Sequence, residues 1–243
     1  MTILNGQPDY YFIVLEEIGL FQLVGIFLLS YLLGAVPFAN IIAHLKAGVD
    51  LRRVGVGTVS PWSLYQAVGL WPALLAGAAD VVKGAVGPLL IGADHLWLAA
   101  LAGALTVAGH NWSFLAAWKG GRGLSSATGA FLVVAWPAAA VMCLGLAVGV
   151  ATKRVLGAMS LALVATIPAV WYFEGWPGLV AVAMVLAPIV VKTVVLLSRG
   201  TLRPRDLLAA ARRRQSERRW RWQRRRSDPS THLDSGDVSG EDR

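Results

Sequence analysis

Charge is scarce in this sequence. Only 15% of its 243 residues are Asp, Glu, Lys or Arg, against roughly 25% in ordinary soluble domains. Cysteine is scarcer still: Cys143 stands alone in an apolar run, which excludes an intramolecular disulfide and a cysteine-based metal site. There are four histidines, and the apolar body holds no cluster of His with acidic residues, so no metal is expected. The N-terminus lacks a basic region followed by a short apolar stretch and a small-residue cleavage site, so the first apolar run reads as an anchor. What abounds is apolar: 56% of residues are hydrophobic, with 26 Gly and 10 Trp and a mean hydropathy of +0.59. That composition excludes a soluble globule, a disordered chain and a secreted disulfide scaffold. It predicts packed membrane helices with interfacial aromatic anchors.

The formal net charge of +8 is unevenly placed. Residues 1–202 carry a net of +3, residues 203–226 hold eleven Arg for a net of +9, and residues 227–243 carry −4. The Arg-rich stretch, with Trp220 and Trp222, reads as a cytoplasmic juxtamembrane segment drawn to anionic lipid, at about 1 kcal/mol per basic residue near the surface. No nucleic-acid module accompanies it, so nucleic acid is not an expected partner. Residues 227–243 are polar and acidic, the composition of a disordered tail. His232 and Asp237 have a spacing used by acyl-CoA-dependent acyltransferases, but they lie in this tail with no fold around them. Four regions follow: an extracytoplasmic segment 1–17, a membrane domain 18–200, the basic segment 201–226 and the tail 227–243.

Apolar runs long enough to cross a bilayer, about 20 residues each, occur near 18–43, 65–92, 96–117, 124–151, 155–173 and 177–198. Acidic residues precede the first run, while Lys46, Arg52 and Arg53 follow it. The positive-inside rule places the N-terminus outside and the 46–63 loop in the cytoplasm. Lys119, Arg122, Lys153, Arg154, Arg199 and the basic tail all return to the cytoplasm only if 124–151 is two segments. Pro137 interrupts that run, and the residue before a proline is biased away from helix. A short or re-entrant helix at 124–134 and another at 137–152 satisfy the parity. The expected fold is an all-α polytopic membrane protein of about seven transmembrane or re-entrant helices, N-terminus outside and C-terminus cytoplasmic.

Ionisable groups within spans are expensive and mark functional sites. Asp80 and Lys83 are three residues apart on one helix face, either a self-neutralising pair or a substrate contact. His110 lies near the cytoplasmic end of its span, within about ten residues of the Lys119–Gly123 turn. In KGGRGLSSATG, glycines allow close backbone approach and successive N–H groups that cradle an anion. Lys119 and Arg122 add charge, and Ser125, Ser126 and Thr128 begin a helix whose N-terminus favours anions. A second loop, GVDLRRVGVGTVSPWS, repeats the theme with Arg52, Arg53, Gly55, Gly57 and Thr58. A third turn offers Lys153, Arg154 and Ser160. Basic, glycine-containing loops on one membrane face predict an anionic substrate gripped from several sides.

Three stretches carry a resemblance: YLLGAVPFANIIAHLKAGVDLRRVGVGT, AADVVKG and AGHNWSFLAAWKGGRGLSSATG. In order and spacing they resemble the bacterial acyl-phosphate:glycerol-3-phosphate acyltransferases of the PlsY type, over roughly residues 28–200. The resemblance implies a multi-pass bacterial inner-membrane enzyme that acylates glycerol 3-phosphate from acyl phosphate, giving lysophosphatidic acid for phospholipid synthesis without a cofactor. It implies catalytic or phosphate-binding roles for His110, Lys119, Gly120, Gly121, Gly123 and Arg52. Arg122 stands where the family usually has lysine, and Arg154 and Ser160 also match. The chain departs from the family pattern in three places: Gly55–Ser63 replaces GSGNIGATN, Ala35 replaces a serine, and Lys192-Thr193 replaces an acid–asparagine pair. Two alternatives stay open on sequence: a catalytically impaired homologue that binds lipid or a protein partner, and a small transporter of a phosphate-bearing solute.

Overall fold

Helices alone make up the regular structure of the computed structural model, which describes residues 19–198 apart from 55, 56 and 153. The expectations for 1–17, 201–226 and 227–243, and those for Gly55 and Lys153, lie outside the described residues. The chain forms two compact units, Met1–Lys192 and Thr193–Arg243. The helices and site below belong to the first; of the second, only the end of the last helix is described.

In chain order the helices are α1 (Leu20–Ala35), α2 (Phe38–Ala47), α3 (Pro61–Ala67), α4 (Leu70–Ile91), α5 (Leu96–Asn111), α6 (Leu124–Val134), α7 (Trp136–Ala151) and α8 (Val155–Ser198). Their ends follow from local chemistry. Pro37 ends α1 by forcing Val36 into extended backbone (φ −64°, ψ 118°). Gly48, at φ 62°, closes α2 in the left-handed conformation. Ser60 caps α3 by accepting from the Ser63 amide, with Pro61 in the first turn where a missing N–H costs nothing. Gly175, at φ 66° and ψ −149°, breaks α8 into halves at 155–174 and 176–198.

The expected split of 124–151 is present, one residue earlier than the proline suggested. Ala135, at φ −162° and ψ 75°, separates α6 from α7, and Pro137 sits in the first turn of α7. Its ring fits a helix start better than a helix interior, so the break moves upstream of the residue before it. Counting α1 and α2 as one broken span, the described residues hold seven apolar helical segments. The Trp136 and Phe173 rings lie 5.1 Å apart, so the α6–α7 break and the Gly175 kink share one end of the bundle. The glycine turn between α5 and α6 lies at the other.

Between membrane helices lipid removes most of the hydrophobic drive, so close backbone approach and buried hydroxyls do the packing. A Cβ on Gly84 would collide with the Ser126 carbonyl, and one on Gly129 with the Val81 carbonyl, so α4 and α6 touch backbone to backbone. Buried Ser30 and Thr106 donate to carbonyls one turn earlier in their own helices, at 2.7 and 3.1 Å, which satisfies them without water. Phe131, Met142, Val107 and Val185 form the interior. The outside is apolar too: Phe21 is 94% exposed, Tyr172 81% and Trp71 80%. A water-facing surface does not tolerate such a covering; a lipid-facing one requires it.

Candidate active site

The glycine turn is built by the end of α5. After Asn111 the chain folds into a short 3-10 turn, Phe114–Ala116, capped by Ser113, whose hydroxyl accepts from the Ala116 amide and donates to the Ala35 carbonyl. Ala117 and Trp118 follow with φ of 52° and 64°. Positive φ in residues with a Cβ costs of order 1–3 kcal/mol each and gathers at functional sites. The Trp118 amide reaches back to the Ser113 carbonyl at 2.8 Å, which holds the strained pair in place. Lys119 and Arg122 are then exposed, while Gly120 and Gly121 between them are buried.

The two glycines are demanded by space. A Cβ at Gly120 would overlap the His110 carbonyl; one at Gly121 would overlap His110 Nε2 and lie 2.8 Å from the Val59 carbonyl. The Nε2 edge of His110 therefore lies directly against the turn. On its other edge, His110 Nδ1 is 3.5 Å from Asp80 Oδ1. Asp80 also pairs with Lys83 at 2.7 Å, and both are buried. Lys83 in turn donates to the Val36 carbonyl at 2.9 Å, at the break between α1 and α2. Asp80, His110, Ser113, Gly120 and Val59 line one small cavity of about 10 Å³, the room of a single water molecule.

Two ties fix the turn from outside. The Val59 amide donates to the Lys119 carbonyl at 3.1 Å, joining the 48–60 loop to the glycine turn. From α8, Lys192 Nζ donates to the carbonyls of Asn111, Gly120 (2.9 Å) and Gly121 (2.7 Å). One turn earlier on the same helix, the Pro188 carbonyl accepts from Asn111 Nδ2 at 3.0 Å.

Arg52 lies in the first loop, in the 3-10 turn Leu51–Arg53, and grips Asp50 with both Nε (2.9 Å) and a terminal nitrogen (2.8 Å). Hydrogen bonding from that guanidinium holds the Asp50 carboxyl down at about 2, below the usual carboxylate range. Arg52 retains a partly exposed face.

Residues 24–199 match a family model described as glycerol-3-phosphate acyltransferase. This chain belongs to the glycerol-3-phosphate acyltransferase family. Its relatives include the glycerol-3-phosphate acyltransferase of Synechococcus sp. (strain CC9902), 33% identical over 166 residues that cover 67% of this chain and 82% of the relative. Glycerol-3-phosphate acyltransferase 1 of Deinococcus radiodurans is 40% identical over 110 residues, covering 44% of this chain and 54% of the relative. The fold is similar to the crystal structure of PlsY, an integral membrane glycerol 3-phosphate acyltransferase, in its glycerol 3-phosphate form. The TM-score is 0.60 at 25% identity, over 74% of this chain and 94% of that one. The expected family and the all-α membrane fold both stand, and the chain is a membrane protein.

In this member of the acyltransferase family, the fold brings together only part of the expected set. His110, Gly120 and Gly121 meet in direct contact, with Lys119 and Arg122 flanking them, and Gly123 (φ 76°) and Ser125 start α6. Gly57 and Thr58 belong to the loop tied on through Val59. A Cβ at Gly57 would stand 3.2 Å from the Arg52 carbonyl, and the Thr58 hydroxyl is spent on Ser63 at 3.2 Å. Arg154 and Ser160 lie at the start of α8. Arg154 lines a separate groove with Thr152, Gly157, Ala158 and Leu161, and neither residue lines the His110 cavity. Sequence reasoning weighed Lys192 only as a departure from the family and passed over Asn111 and Ser113. Lys192 is an ionisable group in the middle of an apolar run, the same signal that singled out Asp80 and Lys83.

Proposed function

We propose that this chain transfers an acyl group from acyl phosphate to the 1-hydroxyl of glycerol 3-phosphate, releasing lysophosphatidic acid and inorganic phosphate. The observation that carries the reading is the glycine turn: a buried histidine at its back and two exposed cations at its mouth, in a chain of this family. In the reaction the glycerol oxygen attacks the acyl carbonyl, the C–O bond forms, and the acyl–phosphate C–O bond breaks with the electron pair leaving on phosphate. Both substrates carry phosphate, so their positioning dominates the barrier, with several kcal/mol available from orientation and electrostatic stabilisation. Arg52, Lys119 and Arg122 supply positive charge, and the Gly120–Gly123 backbone supplies N–H donors. A proton on His110 Nδ1 facing Asp80 leaves Nε2 as an acceptor on the site side. The hydroxyl proton passes to Nε2 or to the departing phosphate, which can itself accept a proton. The acyl chain lies among the apolar helices. The site loops and the Arg-rich tail face the cytoplasm of a bacterium, the protein is multi-pass in its inner membrane, and the tail meets anionic lipid.

The test is a product assay. Purified protein in sealed vesicles receives acyl phosphate and labelled glycerol 3-phosphate, with acyl-CoA as control. Lysophosphatidic acid should form with acyl phosphate alone, and only when glycerol 3-phosphate is on the face that carries the basic loops. His110→Ala and Lys119→Ala should each lower kcat/KM about a hundredfold or more, while Arg219→Ala should not. Absence of product from folded, monodisperse protein sinks the reading.

A further inference from the structure

We infer that Lys192 is a positioning residue: it turns the Gly120–Arg122 peptide planes so that their N–H groups face the phosphate of a substrate. The inference rests on the acyl-transfer reading for the identity of that substrate. An ammonium has three N–H donors and no acceptor. All three donors of Lys192 are committed to backbone carbonyls, those of Asn111, Gly120 and Gly121. No carboxylate is within ion-pair reach of it among the described residues, so its charge is balanced by peptide dipoles. In a trans peptide the C=O of one residue and the N–H of the next point in opposite directions across a rigid plane. The carbonyls of Gly120 and Gly121 point at Lys192. The N–H groups of Gly121 and Arg122, which share those planes, therefore point away from it.

Neither of those N–H groups donates to any acceptor among the described residues. Gly121 is buried, where backbone donors are almost always paired; with the Arg122 N–H beside it at the exposed mouth of the turn, two successive donors form a concavity that binds an anion. A carbonyl bonded to an ammonium polarises its peptide and strengthens the N–H on the far side. Lys192 thus reaches the substrate through the backbone, without touching it. Pro188 makes the placement firm: its carbonyl holds Asn111 one turn below Lys192 on the same face of α8. The ligand chemistry is a phosphate group, found on both glycerol 3-phosphate and acyl phosphate.

The test compares Lys192→Met, which keeps the chain length and loses every donor, with Lys192→Arg, which keeps donors for the carbonyls. Lys192→Met should raise KM at least tenfold for the substrate whose phosphate the turn holds, with a smaller change in kcat. Lys192→Arg should stay within about fivefold of the parent. A rise confined to glycerol 3-phosphate, or one confined to acyl phosphate, says which phosphate sits there. Unchanged KM for both substrates in folded Lys192→Met overturns the inference, as does an equal loss in both variants. If Lys192→Met does not fold, the parent protein decides by nuclear magnetic resonance. The Arg122 amide, assigned by Arg122→Lys, should shift downfield on addition of inorganic phosphate; an amide unmoved at saturation overturns the inference. A parent that makes no lysophosphatidic acid yet shows that shift loses the acyl-transfer reading and keeps the turn as a phosphate site, with Lys192→Met then tested on the same shift.

Discussion

At the scale of single residues, the buried charges are arranged so that none stands alone. Asp80 faces both Lys83 (2.7 Å) and His110 Nδ1 (3.5 Å), and Lys83 also caps the Val36 carbonyl. Removing one member of a buried pair strands the other, at a cost of about 3–5 kcal/mol, whereas replacing both by apolar groups is often close to neutral. Asp80→Leu alone should lower stability by about that amount in thermal unfolding, and Asp80→Leu with Lys83→Met should recover most of it. A double variant no more stable than the single one would mean that the two groups are not coupled. Stability regained with activity still lost would assign Asp80 to His110 as well as to Lys83. The pairing of Asp80 with Lys83 was legible from their spacing alone. Its link to His110 was not, because the two lie thirty residues apart and only the packing of α4 beside α5 joins them. Lys192 was hidden in the same way: its partners are backbone carbonyls, which leave no mark in a sequence.

At the scale of elements, the sequence and the structure agree where charge parity or a proline governs, and part where tertiary contact governs. The division of 124–151 followed from the need to return every basic loop to one side. Its position shifted by a residue because Pro137 is accommodated as the start of α7. The break at Val36–Pro37 went unpredicted within the first span, although the same rule about residues before proline applied to it. Glycine-mediated contact between α4 and α6 has no periodic signature of its own, since glycines are scattered through every span. It is nonetheless specific: Gly129→Ala drives a methyl into the Val81 carbonyl of α4. Overpacking of this kind costs about 1–3 kcal/mol. Because the glycine turn runs straight into α6 through its cap Gly123, the variant should lose activity along with thermal stability. Gly25→Ala, where added bulk meets nothing within 4 Å, should change neither.

At the scale of the whole molecule, charge and apolar surface are divided by function. The apolar covering faces lipid, the site gathers a few cations at one end of the helices, and most of the net charge of +8 sits beyond residue 202. The broken first span has a mechanical consequence. With 16 residues, α1 is about 24 Å long, shorter than a hydrocarbon core of about 30 Å, and the break at Val36–Pro37 separates it from α2. Lys83 pins that joint to α4 from the inside. We expect a change in bilayer thickness to tilt α1 about this break rather than to displace the loop that carries Arg52. Turnover measured in vesicles of progressively longer acyl chains should stay nearly flat. In Lys83→Met, with the pin removed, it should fall steeply as the bilayer departs from its natural thickness. The joint would then serve as a strain relief, isolating the glycine turn from the thickness of the surrounding membrane.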